Sequence, residues 1–249
     1  MPGRAHLSDV PINFVTTNPG KVEEAREYLA EPVEQLDFDT PEIQSDDLGA
    51  IAAHKARAAY EHAGQPVFVD DAGLFIDAFD GFPGPYSSYV HDTVGVERVW
   101  RLTSEEDDRA ASFRGVVAYC DGDEFAATPE PVDRDGEERS PDARAGSEAT
   151  RDRRGQDLAA DERAAATTDE QVRTDEGDGG ELPVKLFYGV VPGEIVEPRG
   201  DGGFGYDPIF EYDDRTFAEM DAEEKNAVSH RGRALAKFAD WLETRETPE

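Results

Sequence analysis

Residues Val67–Tyr89, with the sequence VFVDDAGLFIDAFDGFPGPYSSY, constrain the fold and the function of this chain more than any other stretch. The apolar run Val67–Val69 is typical of a short buried strand, and it leads directly into two adjacent carboxylates, Asp70 and Asp71. We expect the strand to end there and Ala72-Gly73 to form a tight turn. Open α/β sheets bind ligands at the carboxyl ends of strands, where carboxylates can hold a divalent metal or take a proton from water. The alternative interpretation is that both Asp residues only cap a turn.

The charge of the chain indicates adaptation to high salt. The 249 residues carry a formal net charge of -32, and only five of the 25 basic residues are lysines. Hydrophobic residues make up 37% of the chain, which is enough for an ordinary core. An acidic, lysine-poor surface over such a core is typical of a halophile, because molar salt screens the repulsion between like charges. An acidic disordered protein is the alternative, but the apolar periodicity of the chain argues against it.

The same charge limits the partners of the chain. No basic face is available to neutralise the phosphates of DNA or RNA, so we expect no nucleic-acid partner. A small anionic ligand remains compatible, because a local group of cations and helix N-termini can hold it. Cys120 is the single cysteine, which excludes an intrachain disulfide and a cysteine-based zinc site. There is no 18-residue apolar run and no signal-peptide pattern, so we expect a cytoplasmic protein with no membrane partner.

Strand and helix patterns alternate along most of the chain. A predicted strand over Ile12–Val15 is followed by a helix, for which Asn18 is a good N-cap and Pro19 suits the first position. A C-terminal helix carries Leu235, Phe238 and Leu242 on one stripe. The other predicted helices cover residues 48–62 and 94–102, and the other predicted strands cover residues 67–69, 112–120 and 185–191.

Residues Pro129–Leu182 differ in character from the rest of the chain. The segment contains no aromatic residue and almost no large aliphatic residue, so it cannot bury enough surface to offset the entropy of ordering. We expect one domain over residues 1–249, in which this acidic segment is a disordered or loosely helical insertion in a hairpin. A partner-binding role for the segment is the alternative interpretation.

Residues Thr16–Lys21, TTNPGK, form the first candidate for ligand binding. A strand leads here into a helix whose first N–H groups and dipole favour an anion. The hydroxyls of Thr16 and Thr17 and the ammonium of Lys21 lie in the same short stretch. The spacing is not that of a Walker A loop, and every capped helix resembles this pattern in part.

Two segments in the C-terminal third are further candidates. The glycine-rich stretch Gly200–Asp207 lets the backbone approach a ligand closely, and the ring of Phe204 could stack on a base. The alternative is an ordinary turn with Phe204 in the core. Lys225, His230 and Arg231 form a basic cluster in a chain that otherwise avoids positive charge, and they can donate hydrogen bonds to a base or a phosphate.

Six motifs, in order along the chain, resemble those of the inosine triphosphate pyrophosphatase family, and most closely its archaeal branch. They are TTNPGK, PEIQ, DDAGL, FPGPYSSYV, GFGYDPIF and EEKNAVSHRGRAL, and the resemblance extends from Ile12 to Leu242 apart from the acidic insertion. It implies a mixed α/β fold with a long, curved central mixed sheet, flanking helices, and two lobes with a cleft between them. It also implies a homodimer that uses Mg²⁺ to hydrolyse ITP, dITP and XTP to the nucleoside monophosphate and pyrophosphate.

The resemblance further implies roles for individual residues. Glu42 and Asp71 would bind Mg²⁺; Asp71 would also be the general base, and Lys55 would lie near the phosphates. From the residues alone, Glu42 could project from a strand toward the carboxylate pair, and the alternative is one more solvated surface Glu. Ala72 stands where the family usually has Ser, which removes one hydroxyl contact to the substrate. The triphosphate would be held by Thr16, Thr17, Asn18, Pro19, Gly20 and Lys21. The purine would be held by Phe204, Gly205, Tyr206, Asp207, Lys225, His230 and Arg231.

The two adjacent carboxylates are expected to differ in role. Successive residues of a strand point to opposite faces, so only one of the pair needs to enter the cleft. We assign Asp71 to the metal and the base, and Asp70 to support. Two other functions stay open from the sequence: a pyrophosphatase for another modified nucleotide, and a non-catalytic nucleotide-binding protein whose acidic insertion binds a partner.

Overall fold

The computed structural model describes residues 11–123, 170–173 and 182–245. The helices in this part of the chain are α1 (Pro19–Tyr28), α2 (Leu48–Ala63), α3 (Ser87–Thr93), α4 (Val96–Ser104), α5 (Ala222–Val228) and α6 (His230–Arg245). The strands are β1 (Ile12–Val15), β2 (Val33–Leu36), β3 (Val67–Ile76), β4 (Pro83–Gly84), β5 (Ala110–Cys120), β6 (Glu170–Arg173), β7 (Val184–Ile195), β8 (Phe210–Tyr212) and β9 (Arg215–Thr216). None of the helices described is both long and apolar enough to cross a membrane.

The described strands form one mixed sheet in the order β2-β1-β3-β5-β7-β8-β9, with β4 added to β3 and β6 added to β7. Strand β1 is parallel to both β2 and β3, and the remaining pairs are antiparallel. The two long strands β5 and β7 run side by side from Ala110 to Tyr119. This sheet and its flanking helices confirm the mixed α/β fold predicted from the sequence.

Local signals set the ends of the two helices nearest the candidate site. Asn18 caps α1 as predicted, since its side chain accepts a hydrogen bond from the Gly20 N–H at 2.9 Å. Asp47 caps α2 in the same way by accepting from the Gly49 N–H at 2.8 Å. Helix α2 ends at Gly64, whose φ of 62° is a left-handed conformation that glycine adopts without steric cost.

Helices cover both faces of the sheet. On one face, α1 and α6 pack over a core that includes Phe68 and Val117. On the other face, α2 packs over a core that includes Val69 and Val116. Because side chains alternate along a strand, neighbouring residues of β3 belong to different layers of the molecule. The stripe predicted on the C-terminal helix is buried in the first of these cores: Leu235, Phe238 and Leu242.

Strand β3 is longer than the sequence predicted. We expected it to end at Val69 and to turn at Ala72-Gly73, but it continues to Ile76 and pairs with β5 throughout. Gly73 is required by packing and not by a turn, because a Cβ there would lie 2.1 Å from the carbonyl oxygen of Gly84. The prediction was wrong because Asp and Gly favour turns locally, whereas the long partner strand β5 supplies hydrogen bonds that override this preference.

The predicted insertion lies between β5 and β7, which are antiparallel neighbours. Most of Pro129–Leu182, including residues 129–169 and 174–181, lies outside the described residues, and its predicted disorder stays a prediction. Strand β6 lies within the segment and pairs with Val184–Phe187 of β7. The composition did not predict this strand, because its pairing depends on the edge of β7. An open strand edge can pair with another segment of the chain whatever the composition of that segment.

Candidate active site

The carboxylates Asp70 and Asp71 lie on a stretch of β3 with one open edge. On the side away from β5, β3 pairs with β1 at Val67 and Phe68 and with β4 from Leu74 onward. Between these pairings, residues 69–73 have β5 as their only partner strand in the described part of the chain. The gap arises because β1 ends and its chain turns away into α1. A ligand at this gap can therefore reach side chains on both faces of β3.

Asp70 points toward α1 and α6 and is part of a buried charge network. Its Oδ1 accepts from Lys21 Nζ at 2.9 Å, and its Oδ2 accepts from Arg231 Nε at 2.7 Å. Arg231 Nη1 also donates to Glu24 Oε2 at 3.0 Å. Burial raises the pKa of Asp70, but the charges of Lys21 and Arg231 outweigh burial and hold that pKa well below its usual range. Two cations and two carboxylates thus tie the TTNPGK segment to α6.

Asp71 points to the opposite face, toward α2. Its Oδ1 accepts from Lys55 Nζ at 2.8 Å, and the same ammonium lies 2.7 Å from Glu42 Oε1. The second oxygen, Asp71 Oδ2, is buried and has no hydrogen-bond partner among the described residues. Burial raises the pKa of Asp71, and the charge of Lys55 opposes this effect without reversing it. Asp71 is therefore a stronger proton acceptor than an ordinary aspartate.

The charge of Lys55 is stabilised by the same contacts. Burial lowers the pKa of Lys55, but the carboxylates of Asp71 and Glu42 outweigh burial and raise it. Glu42 lies in irregular chain between β2 and α2, so the expected strand at this position was wrong. No partner strand pairs with this segment in the described residues, and the Glu42 side chain is 74% exposed.

A cavity of about 520 Å³ opens beside Asp71. This volume is in the range of small-molecule sites. Its polar lining consists of Glu42, Gln44, Lys55 and Asp71, and its apolar lining consists of Ile43, Leu48, Ile51, Pro85, Tyr86 and Tyr89. Gln44 belongs to the PEIQ motif, and Tyr86 and Tyr89 belong to FPGPYSSYV, but none of the three was predicted as a site residue.

The TTNPGK segment is held by its own helix cap. Thr16 Oγ1 accepts from the Asn18 N–H at 3.1 Å, so the oxygens of both Thr16 and Asn18 serve the start of α1. The ammonium of Lys21 reaches across to Asp70 and brings this segment to the open edge of β3. The three remaining residues of the segment are exposed at the start of the helix: Thr17, Pro19 and Gly20.

Asp207 organises the glycine-rich loop. Its Oδ2 accepts from Lys225 Nζ and from the Phe204 N–H, both at 2.6 Å. Lys225 Nζ also lies 4.1 Å from the centroid of the Phe204 ring, which is 63% exposed and not in the core. Tyr206 is buried and donates its hydroxyl to the Ser87 carbonyl at 2.9 Å, so this hydroxyl supports the loop. Gly205 has a φ of 62°, which the turn beside Phe204 requires.

His230 is a buried imidazole at the start of α6. Its Nδ1 has no hydrogen-bond partner among the described residues, and its ring stacks on Phe113 at 5.2 Å between centroids. A Cβ at Gly115 would lie 2.7 Å from this ring, and Gly115 is paired with Ala72. Burial lowers the pKa of His230 to about 3, so the ring is neutral at neutral pH. The unpartnered Nδ1 of this neutral imidazole can therefore form one hydrogen bond with a ligand.

The structure brings the predicted residues into three contact groups. Glu42, Lys55 and Asp71 meet at the cavity; Lys21, Asp70 and Arg231 meet on the other face of β3; Phe204, Asp207 and Lys225 meet at the loop. Sequence reasoning missed Glu24, which completes the second group. The signal was available, since Glu24 lies three residues after Lys21 and therefore on the same side of a helix.

The donor set around Asp71 fits a magnesium ion. The described residues contain no group of three or more Asp, Glu, His or Cys side chains able to hold a metal. Mg²⁺ is nevertheless commonly bound by one or two carboxylates, with waters and substrate phosphates as the other ligands. The buried, unpartnered Oδ2 of Asp71 is an oxygen of the required type. Glu42 and Asp71 therefore form a suitable two-carboxylate set.

Comparison with known proteins finds relatives that match nearly the whole chain. A relative from Thermococcus kodakarensis, a dITP/XTP pyrophosphatase, is 39% identical over 93% of this chain and 96% of its own length. A dITP/XTP pyrophosphatase from Methanopyrus kandleri is 41% identical over 92% of this chain and 95% of its own length. Among solved structures, a HAM1 protein from Coxiella burnetii is 29% identical, with a TM-score of 0.63, covering 94% of this chain and 99% of its own.

A family model also matches this chain. The model of the Ham1 family matches residues 12–131 and 147–241, which is most of the chain. The fold is also shared with the Ham1 protein of Staphylococcus aureus, with a TM-score of 0.64 at 24% identity over 94% of this chain and 99% of that one. These matches confirm the resemblance inferred from the six motifs. Together with the identity to the two archaeal relatives, they place this chain in the Ham1 family.

Proposed function

We propose that this protein hydrolyses the non-standard purine nucleoside triphosphates ITP, dITP and XTP to the nucleoside monophosphate and pyrophosphate, and so removes them from the nucleotide pool. The observation that carries the proposal is Asp71, a buried carboxylate with a free oxygen and a raised pKa at the wall of a cavity. The names of the curated relatives support the substrate class.

Asp71 is the group that we assign to proton transfer. A water molecule attacks the α-phosphorus, Asp71 Oδ2 takes its proton, and the bond from the α-phosphorus to the bridging oxygen breaks to release pyrophosphate. The raised pKa of Asp71 strengthens it as a base. We assign Lys21 and Lys55 to the phosphates, because both cations lie beside this carboxylate pair.

We propose that Glu42 and Asp71 hold Mg²⁺. When bound, the ion would neutralise charge on the phosphates and on the leaving pyrophosphate. Two observations support this assignment: Lys55 holds Glu42 Oε1 and Asp71 Oδ1 close together, and the Glu42 side chain is exposed. The exposed residues at the start of α1, Thr17, Pro19 and Gly20, are placed to meet the triphosphate.

We assign the purine to the exposed ring of Phe204 and to the donors Lys225, His230 and Arg231. Hypoxanthine and xanthine carry an oxygen at position 6 that accepts hydrogen bonds, whereas adenine carries an amino group that cannot accept them. Donors matched to the oxygen would be left unpaired by adenine, which is a strong basis for discrimination. Asp207 holds Lys225 and the Phe204 backbone in position for this role.

The experiment that tests this function is a panel of nucleotides. We expect pyrophosphate release from ITP, dITP and XTP, with Mg²⁺ in high KCl, to be at least about 100-fold faster than from ATP, which lacks the 6-oxygen. We also expect it to be faster than from GTP, which keeps this oxygen, because the names of the relatives specify dITP and XTP. High KCl is chosen because the net charge of -32 supports a halophilic protein. Release of inorganic phosphate in place of pyrophosphate, or equal rates on all five nucleotides, would contradict the proposal.

We further propose a cytoplasmic homodimer that binds neither nucleic acid nor membrane. The acidic charge supports the absence of a nucleic-acid partner. Three large aromatic side chains close together in the chain, Phe82, Tyr86 and Tyr89, are exposed, and such groups are enriched at protein interfaces. We expect light scattering in high KCl to give twice the chain mass of 27.3 kDa; a single-chain mass would exclude the dimer.

A further inference from the structure

The ammonium of Lys55 lies between the two carboxylates that we assign to the metal. Its Nζ is 2.7 Å from Glu42 Oε1 and 2.8 Å from Asp71 Oδ1. One nitrogen thus satisfies an oxygen from each ligand at once. The side chains of Lys55 and Asp71 are 12% and 17% exposed, so their contact is shielded from bulk solvent, whereas Glu42 is exposed. This position differs from that of a lysine that merely lies near a site, because the ammonium and a metal ion need the same oxygens.

We propose that Lys55 competes with the divalent cation for Glu42 and Asp71. The Lys55 ammonium occupies these two carboxylates and must leave them when the metal binds. The inference rests on the proposed function and adds a step to it. Two cations held by the same pair of carboxylates would repel each other strongly at such short range. Binding of the metal and withdrawal of Lys55 are therefore coupled.

The surroundings of Lys55 allow this exchange. Its ammonium ends a flexible four-carbon stem, and Lys55 itself lines the cavity of about 520 Å³, so it has room to withdraw without disturbing α2. Glu42 lies in irregular chain and is exposed, so it can follow the metal. Asp71 keeps its place on β3, and its Oδ1, which now accepts from Lys55, becomes available to the metal once the ammonium withdraws.

The exchange gives Lys55 two successive roles. While Lys55 bridges the two carboxylates, its charge weakens their mutual repulsion. The same charge offsets part of the desolvation cost of Asp71. Once displaced, its positive charge becomes available at the cavity for the phosphates of the substrate. A site of this kind assembles its full positive charge only when the metal arrives.

The test is the affinity for Mn²⁺, measured by electron paramagnetic resonance and calorimetry on the full chain without nucleotide. Lys55→Met keeps most of the length of the side chain and removes the competing charge, so we expect Mn²⁺ to bind at least about tenfold tighter than to the unaltered protein. Lys21→Met is the matched control, because it removes the same charge from Asp70 on the opposite face of β3. We expect Lys21→Met to change the Mn²⁺ affinity much less.

Equal or weaker Mn²⁺ binding by Lys55→Met would overturn the proposal, and so would an equal gain in both variants, which would indicate only a long-range effect of charge. A second measurement follows the ¹⁵Nζ NMR signal of Lys55 in the unaltered protein. Lys55→Arg is needed only to assign this signal, which is absent from the variant. We expect Mg²⁺ to shift or remove this signal, and an unchanged signal at saturating Mg²⁺ would overturn the competition. Failure to release pyrophosphate from ITP would instead refute the proposed function and leave the competition intact.

Discussion

Replacement of Asp71 by Asn is expected to lower the rate of pyrophosphate release from ITP by at least about 1,000-fold, the range in which a general base contributes. The amide has nearly the same shape, but it cannot take the proton from water, and it is a poorer ligand for a divalent cation than a carboxylate. Asp71 Oδ2 is buried without a partner, so no other contact of this oxygen is lost. Steady-state kinetics with ITP in high KCl measure the effect.

Folding and substrate binding should survive this substitution. Loss of the negative charge leaves Lys55 with Glu42 as its remaining carboxylate partner, so the structure keeps one of the two ion pairs. We expect ITP to bind with an affinity within about tenfold of the original, because the purine contacts are unchanged. Asp39→Asn, at an exposed site outside the cavity, is the matched control and should retain full turnover. Full turnover in Asp71→Asn would remove Asp71 from the role assigned here.

Replacement of Asp70 by Asn is expected to cost about 3–5 kcal/mol of the free energy of unfolding, the typical effect of removing one partner from a buried ion pair. Asp70 accepts from both Lys21 and Arg231, and its side chain is only 6% exposed. The variant would leave Arg231 with Glu24 as its carboxylate partner and would remove the carboxylate that Lys21 contacts. Denaturant unfolding in high KCl measures the loss, and Asp39→Asn again controls for the change in net charge.

The pH dependence of this loss identifies its cause. The pKa of Asp70 is depressed in the folded protein, so its ionised form stabilises the fold above the ordinary aspartate pKa of about 3.9. This contribution is lost as the pH falls through the lower, folded pKa. The difference between the original protein and Asp70→Asn should therefore be complete at neutral pH and shrink in strong acid. A loss below about 1 kcal/mol, or one that does not vary with pH, would contradict a buried charge network at Asp70.

The sequence predicted most elements whose signals are local. Asn18 and Pro19 start α1 where expected. Helix α2 ends at Ala63, before the cap Gly64 and one residue beyond the predicted end. Both ends were predictable because caps depend on a few neighbouring residues. The stripe of Leu235, Phe238 and Leu242 was correctly placed on a buried helix face. The motif order, taken as a resemblance, also led to the correct family.

The errors arose where a distant segment decides the local structure. The end of β3 was placed too early because Asp, Ala and Gly favour a turn, and only the partner strand β5 shows that the strand continues. Glu42 was expected on a strand, yet no described strand lies beside it. The spacing of Glu24 from Lys21 indicated only a shared side of α1, and its partner Arg231 comes from the distant helix α6.

Asp70 and Asp71 show what the sequence predicts and what depends on the tertiary structure. The sequence by itself predicted that only one of Asp70 and Asp71 needs to enter the cleft, because side chains alternate along any strand. The two carboxylates point to opposite faces because β3 continues through both of them. Only the tertiary structure decided what each one meets: two buried cations for Asp70, and one lysine, an unpartnered oxygen and a cavity for Asp71. The resulting pKa values shift in opposite directions from the same starting value. Burial and neighbouring charge set such shifts, and both come from helices far apart in the chain.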